Sequence, residues 1–169
     1  LGEKLRIKGD GSIITTTPGS NNTRLGLSSG VNLESGSFRN TLIGDYAGED
    51  ITTGDYNIGV GYQSLTQLTT GERNTALTAT TTASNNTAIG TQAGGQNTTG
   101  ANNVAVGKDA LYSNTTASGN TALGFEAGKD IVTGTGLTAT GYKAAENTTG
   151  NNNSAFGYNV MQVNTSGSQ

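Results

Sequence analysis

The sequence predicts an all-β fold, a parallel β-roll (a β-solenoid) of about eight 17-residue coils. The first observation is a repeat, because lines beginning at Asn86, Asn103 and Asn120 read NTAIGTQAGGQNTTGAN, NVAVGKDALYSNTTASG and NTALGFEAGKDIVTGTG. A short fixed period is typical of a solenoid, in which one coil cannot bury its apolar face alone. The second observation is that the strand opening each clear line is uncharged on both faces, whereas a degenerate first line carries Arg24 in its strand. The third is the glycine that follows this strand.

Composition agrees with an ordered repeat. Leu, Ile, Val and Phe account for 30 of the 169 residues, glycine for 27, and the net charge is −3. Low apolar content with low charge favours a repetitive β structure built on backbone hydrogen bonds. Disorder is the alternative for a chain rich in Gly, Ser, Thr and Asn, but a disordered chain has no physical need of a fixed register.

The residue types that are missing limit the function. The chain has no cysteine and no histidine, so it lacks disulfides, the commonest general base and the commonest metal ligand. A pI of 4.8 without a Lys/Arg cluster argues against nucleic acid, and no apolar run reaches the ~18 residues of a membrane span. We therefore expect no cofactor, no metal, no nucleic acid and no membrane insertion in this segment. The start at Leu1 suggests a fragment or a processed product.

Residues 1–39 are predicted to form a β cap or connector. Gly9-Asp10-Gly11 lies between alternating segments and is a hairpin signal. A degenerate first line, NTRLGLSSGVNLESGSFR, occupies residues 22–39. The β-roll repeat domain is assigned to residues 40–169.

Eight clear lines make up the repeat domain. They begin at Asn40, Asn57, Asn74, Asn86, Asn103, Asn120, Leu137 and Asn153, with spacings of 17, 17, 12, 17, 17, 17 and 16 residues. The short line, residues 74–85, keeps its start and loses part of its turn. This loss is expected where the variable part of each line is a surface loop.

The first five columns of each line define the strand. Side chains alternate, so columns two and four share one face and column three, mostly Ala, takes the other. We expect column four to form the inner-strand core of the coil: Ile43, Val60, Leu77, Ile89, Val106, Leu123 and Phe156. The Ala face would then meet another element. Column five supplies tight-turn glycines: Gly44, Gly61, Gly90, Gly107, Gly124, Gly141 and Gly157.

Two further columns carry polar and aromatic signals. The Asn of column one is expected to form a ladder from coil to coil. Aromatic residues in columns six and seven are a candidate outer contact surface: Tyr46, Tyr62, Phe125, Tyr142 and Tyr158. Their rings could stack on sugars, or they could pack between neighbouring coils.

The N-[TSV]-A-[VIL]-G start, repeated with an Ala/Gly-rich second strand and a TTG-type turn, resembles the head repeat of trimeric autotransporter adhesins (the YadA-like head). It equally resembles the NTALG-type repeats of phage tail fibres. The resemblance covers residues 40–169, although the lines of that family are often shorter than those here. It implies a left-handed parallel β-roll packed as a homotrimer, in which two more copies of the chain cover the second face of the strands. It also implies an extracellular, cell-surface or virion location and a cell-surface glycan or protein receptor.

These observations favour a non-enzymatic, trimeric fibre segment for surface attachment, either an adhesin head or the receptor-binding or spacer region of a tail fibre. The alternative is a structural subunit of an extracellular filament, assembled by end-to-end stacking of β-coils. A polysaccharide-cleaving enzyme would need an acidic pair in one groove, and we expect no such pair from the adjacent Glu49 and Asp50, because neighbouring side chains would point apart if they lay on a strand. The calcium-binding GGxGxDxUx repeat is absent, and a Thr-rich stretch that could bind ice, residues 78–82, occurs on one coil.

Overall fold

The computed structural model describes residues 21–76 and 83–164, together with the short strands 6–7 and 13–14. The regular secondary structure of the described residues consists of β-strands alone. They are β1 Arg6–Ile7, β2 Ile13–Ile14, β3 Thr23–Leu25, β4 Thr41–Ile43, β5 Ile58–Val60, β6 Thr75–Ala76, β7 Thr87–Ile89, β8 Val104–Val106, β9 Thr121–Leu123, β10 Thr138–Thr140, β11 Asn147–Thr148, β12 Ser154–Phe156 and β13 Val163–Asn164. β1 pairs antiparallel with β2. The predicted turn between them, Gly9 to Gly11, lies outside the described residues.

One parallel sheet of nine strands organises the chain. Its order is β12-β10-β9-β8-β7-β6-β5-β4-β3, so each line of the sequence adds one strand. Residues of the same column pair between neighbouring strands, as Ala88 pairs with Ala105 and Ala105 with Ala122. The protein is therefore an all-β parallel solenoid of about eight turns, which confirms the predicted fold class. The degenerate line contributes β3, which pairs in register with β4.

Tight turns end each short strand. The column-five glycines have φ between 122° and 140°, a range that side chains rarely adopt. A Cβ on Gly107 would lie 2.4 Å from the carbonyl oxygen of Gly124 in the next coil. Glycine is required there because two backbones come into contact. The rest of each coil, between this glycine and the next column-one residue, is called the outer arc below.

The interior of the coil is narrow and filled mostly by small side chains. Column three points inward, with Ala105 at 2 % exposure and Ala122 at 0 %. The outer arc closes the interior from the other side with Ala, Leu and Ile. The buried outer-arc residues include Ala47, Ile51, Leu65, Leu68, Ala93, Ala110, Leu111, Ala127, Ile131, Ala144 and Ala145.

The two faces of the strand are reversed relative to the sequence expectation. The residues predicted as the inner-strand core point away from the interior: Ile43 (36 % exposed), Val60 (40 %), Ile89 (42 %), Leu123 (38 %), Phe156 (64 %) and the half-buried Val106. The seventh of them, Leu77, lies outside the described residues. The physical reason is space, because in most coils the outer arc already places Leu or Ile inside and column three is then usually Ala, although Leu42 also fits inside beside Ile51.

The column-one asparagines connect the coils through their side chains. The backbone N–H of Asn120 donates to Oδ1 of Asn103 at 2.9 Å, and Nδ2 of Asn120 donates to the carbonyl of Gly134 at 3.0 Å. The expected ladder therefore forms mainly between side chain and backbone, from one coil to the next and across each coil. Leu137 continues the column as a donor, since its N–H bonds to Oδ1 of Asn120 at 2.9 Å.

Candidate functional site

The first candidate surface is the exposed face of the nine-stranded sheet. We define the exposed sheet face as the described residues in columns two and four of β3 to β10 and of β12. Column four is aliphatic or aromatic in most strands, column two is mostly Thr, and neither column contains a charged residue in these strands. Parallel sheets are usually covered on both faces, and a large contiguous apolar patch marks an interaction site. This face is therefore suited to contact another protein surface.

The candidate outer aromatics divide into two groups. Phe125, Tyr142 and Tyr158 stack in successive coils, with ring centroids 5.1 and 5.0 Å apart and planes within 10°. Because each ring covers the next, the faces between them are already occupied. Tyr46 and Tyr62 instead meet edge to face, with centroids 6.1 Å apart. Tyr62 is 67 % exposed, so much of its ring remains open to solvent.

A polar groove of about 390 Å³ begins at Tyr62. We define it by its two walls. One wall belongs to the outer arc of residues 57–73 and consists of Tyr62, Gln63, Thr66 and Gln67. The other consists of Gln92, Gly95 and Tyr112, from the next two full-length coils. The volume falls within the range of ~300–1,000 Å³ that is typical of small-molecule sites.

The groove follows from the short line of the repeat. The line at residues 74–85 has 12 residues instead of 17, and it still supplies β6 and the buried Asn74. Residues 77–82 of this line lie outside the described residues. The arcs on either side are two coils apart, and strand spacing puts them roughly 9.5 Å from each other. The described lining of the groove comes from these arcs on either side of the shortened line.

The groove is polar but uncharged. Its walls contain three glutamines, one threonine and two tyrosines. No hydrogen bond within the described residues occupies the side-chain amides of Gln63, Gln67 and Gln92, all of which are exposed. Tyr112 lies against Gly95, where a Cβ would approach its ring carbon to 3.0 Å. The site therefore combines aromatic rings with amide donors and acceptors that are available to a ligand.

A separate aromatic contact lies at the opposite edge of the outer arc. The guanidinium groups of Arg39 and Arg73 each lie 5.3 Å from the ring centroid of Tyr56, one from the preceding coil and one from the following coil. Arg39 also donates a hydrogen bond to the Tyr56 hydroxyl at 2.6 Å. Both faces of this ring are occupied, so it serves packing between coils.

An ion-pair cluster crosses the coils near the stacked rings. Nζ of Lys143 lies 2.8 Å from Glu126 and 3.2 Å from Glu146. The hydrogen bond from Lys143, assisted by nearby Lys129, lowers the pKa of Glu126 despite partial burial of the carboxylate. The bonds to Glu126 and Glu146 raise the pKa of Lys143. Each of the four charged groups, Glu126, Lys129, Lys143 and Glu146, forms at least one ion pair within the cluster. The pair between Glu126 and Lys143 connects the outer arcs of neighbouring coils.

Among the described residues, no three His, Cys, Asp or Glu side chains come together as metal ligands. Residues 21–76 and 83–164 also contain no helix that is long and apolar enough to cross a membrane.

Sequence reasoning found Tyr62 but missed the rest of the groove. Gln63, Gln67, Gln92 and Tyr112 belong to variable columns and look like ordinary surface residues. The available signal was the 12-residue spacing, because a line with five residues fewer interrupts the regular outer surface of the repeat. Exposed rings next to such an interruption are candidates for ligand contact.

Comparisons of the chain with protein-family models, with curated proteins and with solved structures give no match. The protein is therefore classified by its fold alone, as a parallel β-solenoid.

Proposed function

We propose that this chain is a non-enzymatic fibre segment that assembles as a homotrimer and presents its outer arcs for surface attachment. The observation that supports the proposal is the exposed sheet face, which is uncharged over nine strands, while the charged residues of the coils other than Arg24 lie on the outer arcs. Three such faces around one axis would cover each other. The small core of each coil gives a physical reason for assembly, because burial of apolar surface between chains adds stabilisation of about 25 cal/mol per Å².

The location and receptor follow from the same proposal. An attachment fibre works outside the cell, on a cell surface or on a virion, and repeated copies of a weak site gain avidity. The receptor is then a cell-surface glycan or protein, and the outer arcs carry the specificity because the sheet face is covered. Release of reducing ends from a host polysaccharide would contradict the non-enzymatic role.

The test is the mass of the assembly in solution, measured by light scattering behind a sizing column. We expect a β-rich species of three times 17.0 kDa. Leu123→Glu places a charge on the sheet face and should give monomers, since an unpaired charge is costly to bury. Val132→Glu is the matched control, because Val132 is similarly exposed on the outer arc (42 % against 38 %) and should leave the mass unchanged.

Other outcomes identify the alternatives. A large, heterogeneous mass would favour a filament built by end-to-end stacking, in which the edge strands β3 and β12 of the described sheet pair between molecules. A folded monomer that is unaffected by Leu123→Glu would contradict the trimer.

One observation favours a second candidate, an ice-binding surface. Column two of the exposed sheet face is Thr in six of the nine strands: Thr23, Thr41, Thr75, Thr87, Thr121 and Thr138. Hydroxyl and methyl groups would then repeat at the strand spacing of about 4.8 Å. A monomer with thermal hysteresis that is lost in Thr121→Glu would support this candidate, and a trimer without hysteresis would reject it. The Thr-rich stretch at 78–82 lies outside the described residues.

A further inference from the structure

We infer that the polar groove at the shortened coil binds an uncharged saccharide. The inference rests on the attachment role proposed above, for which it names a ligand class and a place. The groove differs from the rest of the outer surface because its two walls lie on either side of the line 74–85, which is five residues shorter than its neighbours.

The chemistry of the walls selects the ligand. Saccharides present flat C–H faces, which pack on aromatic rings, and many hydroxyl groups, which both donate and accept hydrogen bonds. Tyr62 and Tyr112 supply rings, while the amides of Gln63, Gln67 and Gln92 supply both donors and acceptors. None of the residues that line the groove carries a charge, so a carboxylated or sulfated ligand would lose hydration without gaining an ion pair.

The positions of these groups are fixed by the solenoid. Gln63 and Gln92 occupy the same column of their coils, and both have left-handed backbone conformations, with φ of 54° and 58°. The N–H of Gln63 bonds to the carbonyl of Asp45, and the carbonyl of Gln92 accepts a bond from the N–H of Gly95. Because the backbone is already held on both walls, a ligand has to order only the side chains, which lowers the entropy lost on binding.

The groove is also the better site among the exposed aromatics. The ring faces between Phe125, Tyr142 and Tyr158 are covered by stacking, and both faces of Tyr56 are covered by arginine. Tyr62 has only an edge-to-face neighbour. It therefore offers an open ring next to hydrogen-bonding amides.

The experiment uses the full chain in its assembled form and a set of neutral trisaccharides of glucose, galactose, mannose and N-acetylglucosamine. Binding is measured by saturation-transfer NMR and by shifts of the glutamine side-chain NH₂ signals. We expect at least one trisaccharide to bind with a Kd on the order of millimolar and to shift the signals of Gln63 or Gln92. Tyr62→Ala should weaken that binding at least about tenfold, the effect of losing one aromatic contact.

Matched variants distinguish the groove from the other aromatics. Gln92→Ala should also weaken binding, whereas Tyr158→Ala removes a similarly exposed ring outside the groove (72 % against 67 %) and should leave it unchanged. Binding that survives in Tyr62→Ala and Gln92→Ala would overturn the inference, and so would binding of sulfated saccharides or extended peptides alone, or the absence of saccharide binding. The mass of the same samples is measured in parallel, so a trimer without saccharide binding rejects the groove alone. A monomer that binds rejects the trimer alone.

Discussion

At the scale of single residues, the side chain of each column-one asparagine forms hydrogen bonds both to the neighbouring coil and across its own coil. Its Oδ1 accepts from the backbone of the next coil, and its Nδ2 donates across its own coil. Both partners are buried, so each bond satisfies a backbone group that has no access to water. A residue that fills the same volume without these atoms leaves both groups unpaired.

Replacing one member of this column tests its contribution. Asn120→Leu leaves the N–H of Leu137 and the carbonyl of Gly134 without their partners. We expect a loss of about 2–4 kcal/mol in the free energy of unfolding, measured by urea denaturation, because each unpaired buried group costs ~1–3 kcal/mol. Asn32→Leu is the control at an exposed position and should change stability by less than about 0.5 kcal/mol. Equal effects of the two variants would contradict the structural role of the column.

The ion pair between Lys143 and Glu126 makes stability depend on pH. The folded state lowers the pKa of Glu126, so this contribution is complete above the ordinary value of about 4.5 and is lost as the pH falls through the folded pKa. Glu126→Gln should therefore flatten the fall of the melting temperature on acidification. Glu34→Gln changes the net charge equally at an exposed position outside this cluster and should keep the slope of the natural chain. An unchanged slope in Glu126→Gln would show that other carboxylates determine acid sensitivity.

At the scale of the coil, close contact of backbones at the column-five glycine sets the spacing between neighbours. Gly107→Ala would place a methyl group against the carbonyl of Gly124 and would strain a φ of 129°. We expect a loss of at least about 2 kcal/mol in the free energy of unfolding. Gly36→Ala is the control, since nothing lies within 4 Å of its Cβ position and its φ is not in the left-handed region. If Gly107→Ala were as stable as this control, adjacent coils would have to separate more easily than the structure indicates.

The coil also shows what the sequence could and could not predict. The repeat predicted the strands and their register, because residues of the same column lie next to each other when successive coils stack. It did not predict which face is inside, as β4 shows: Leu42 and Ile43 are adjacent and similar in size, yet Leu42 is fully buried and Ile43 is 36 % exposed. Alternation divides the side chains of a strand between two faces, but it does not say which face is buried inside the coil. That depends on how far the outer arc fills the interior. The groove was missed for a related reason, since its walls come from separate lines on either side of the 12-residue line and no single line shows them together.

At the scale of the whole molecule, the exposed sheet face predicts stability that depends on protein concentration. A trimer gains stability by mass action as the concentration rises. We therefore expect the melting temperature measured by circular dichroism to rise with concentration in the natural chain and to stay constant in Leu123→Glu. Val132→Glu should behave like the natural chain. A melting temperature that is independent of concentration in all three proteins would mean that the single chain is stable by itself.

The direction of the strand pairing has a mechanical consequence. In the stack, the backbone hydrogen bonds between strands run from one coil to the next, as from the N–H of Thr87 to the carbonyl of Asn103. Tension applied along the stack therefore loads these bonds in series. A coil of 17 residues that detaches lengthens from about 5 Å to roughly 55–60 Å. A stack of this design would therefore lengthen in successive steps of this size, each detached coil relieving the tension on the coils that stay folded.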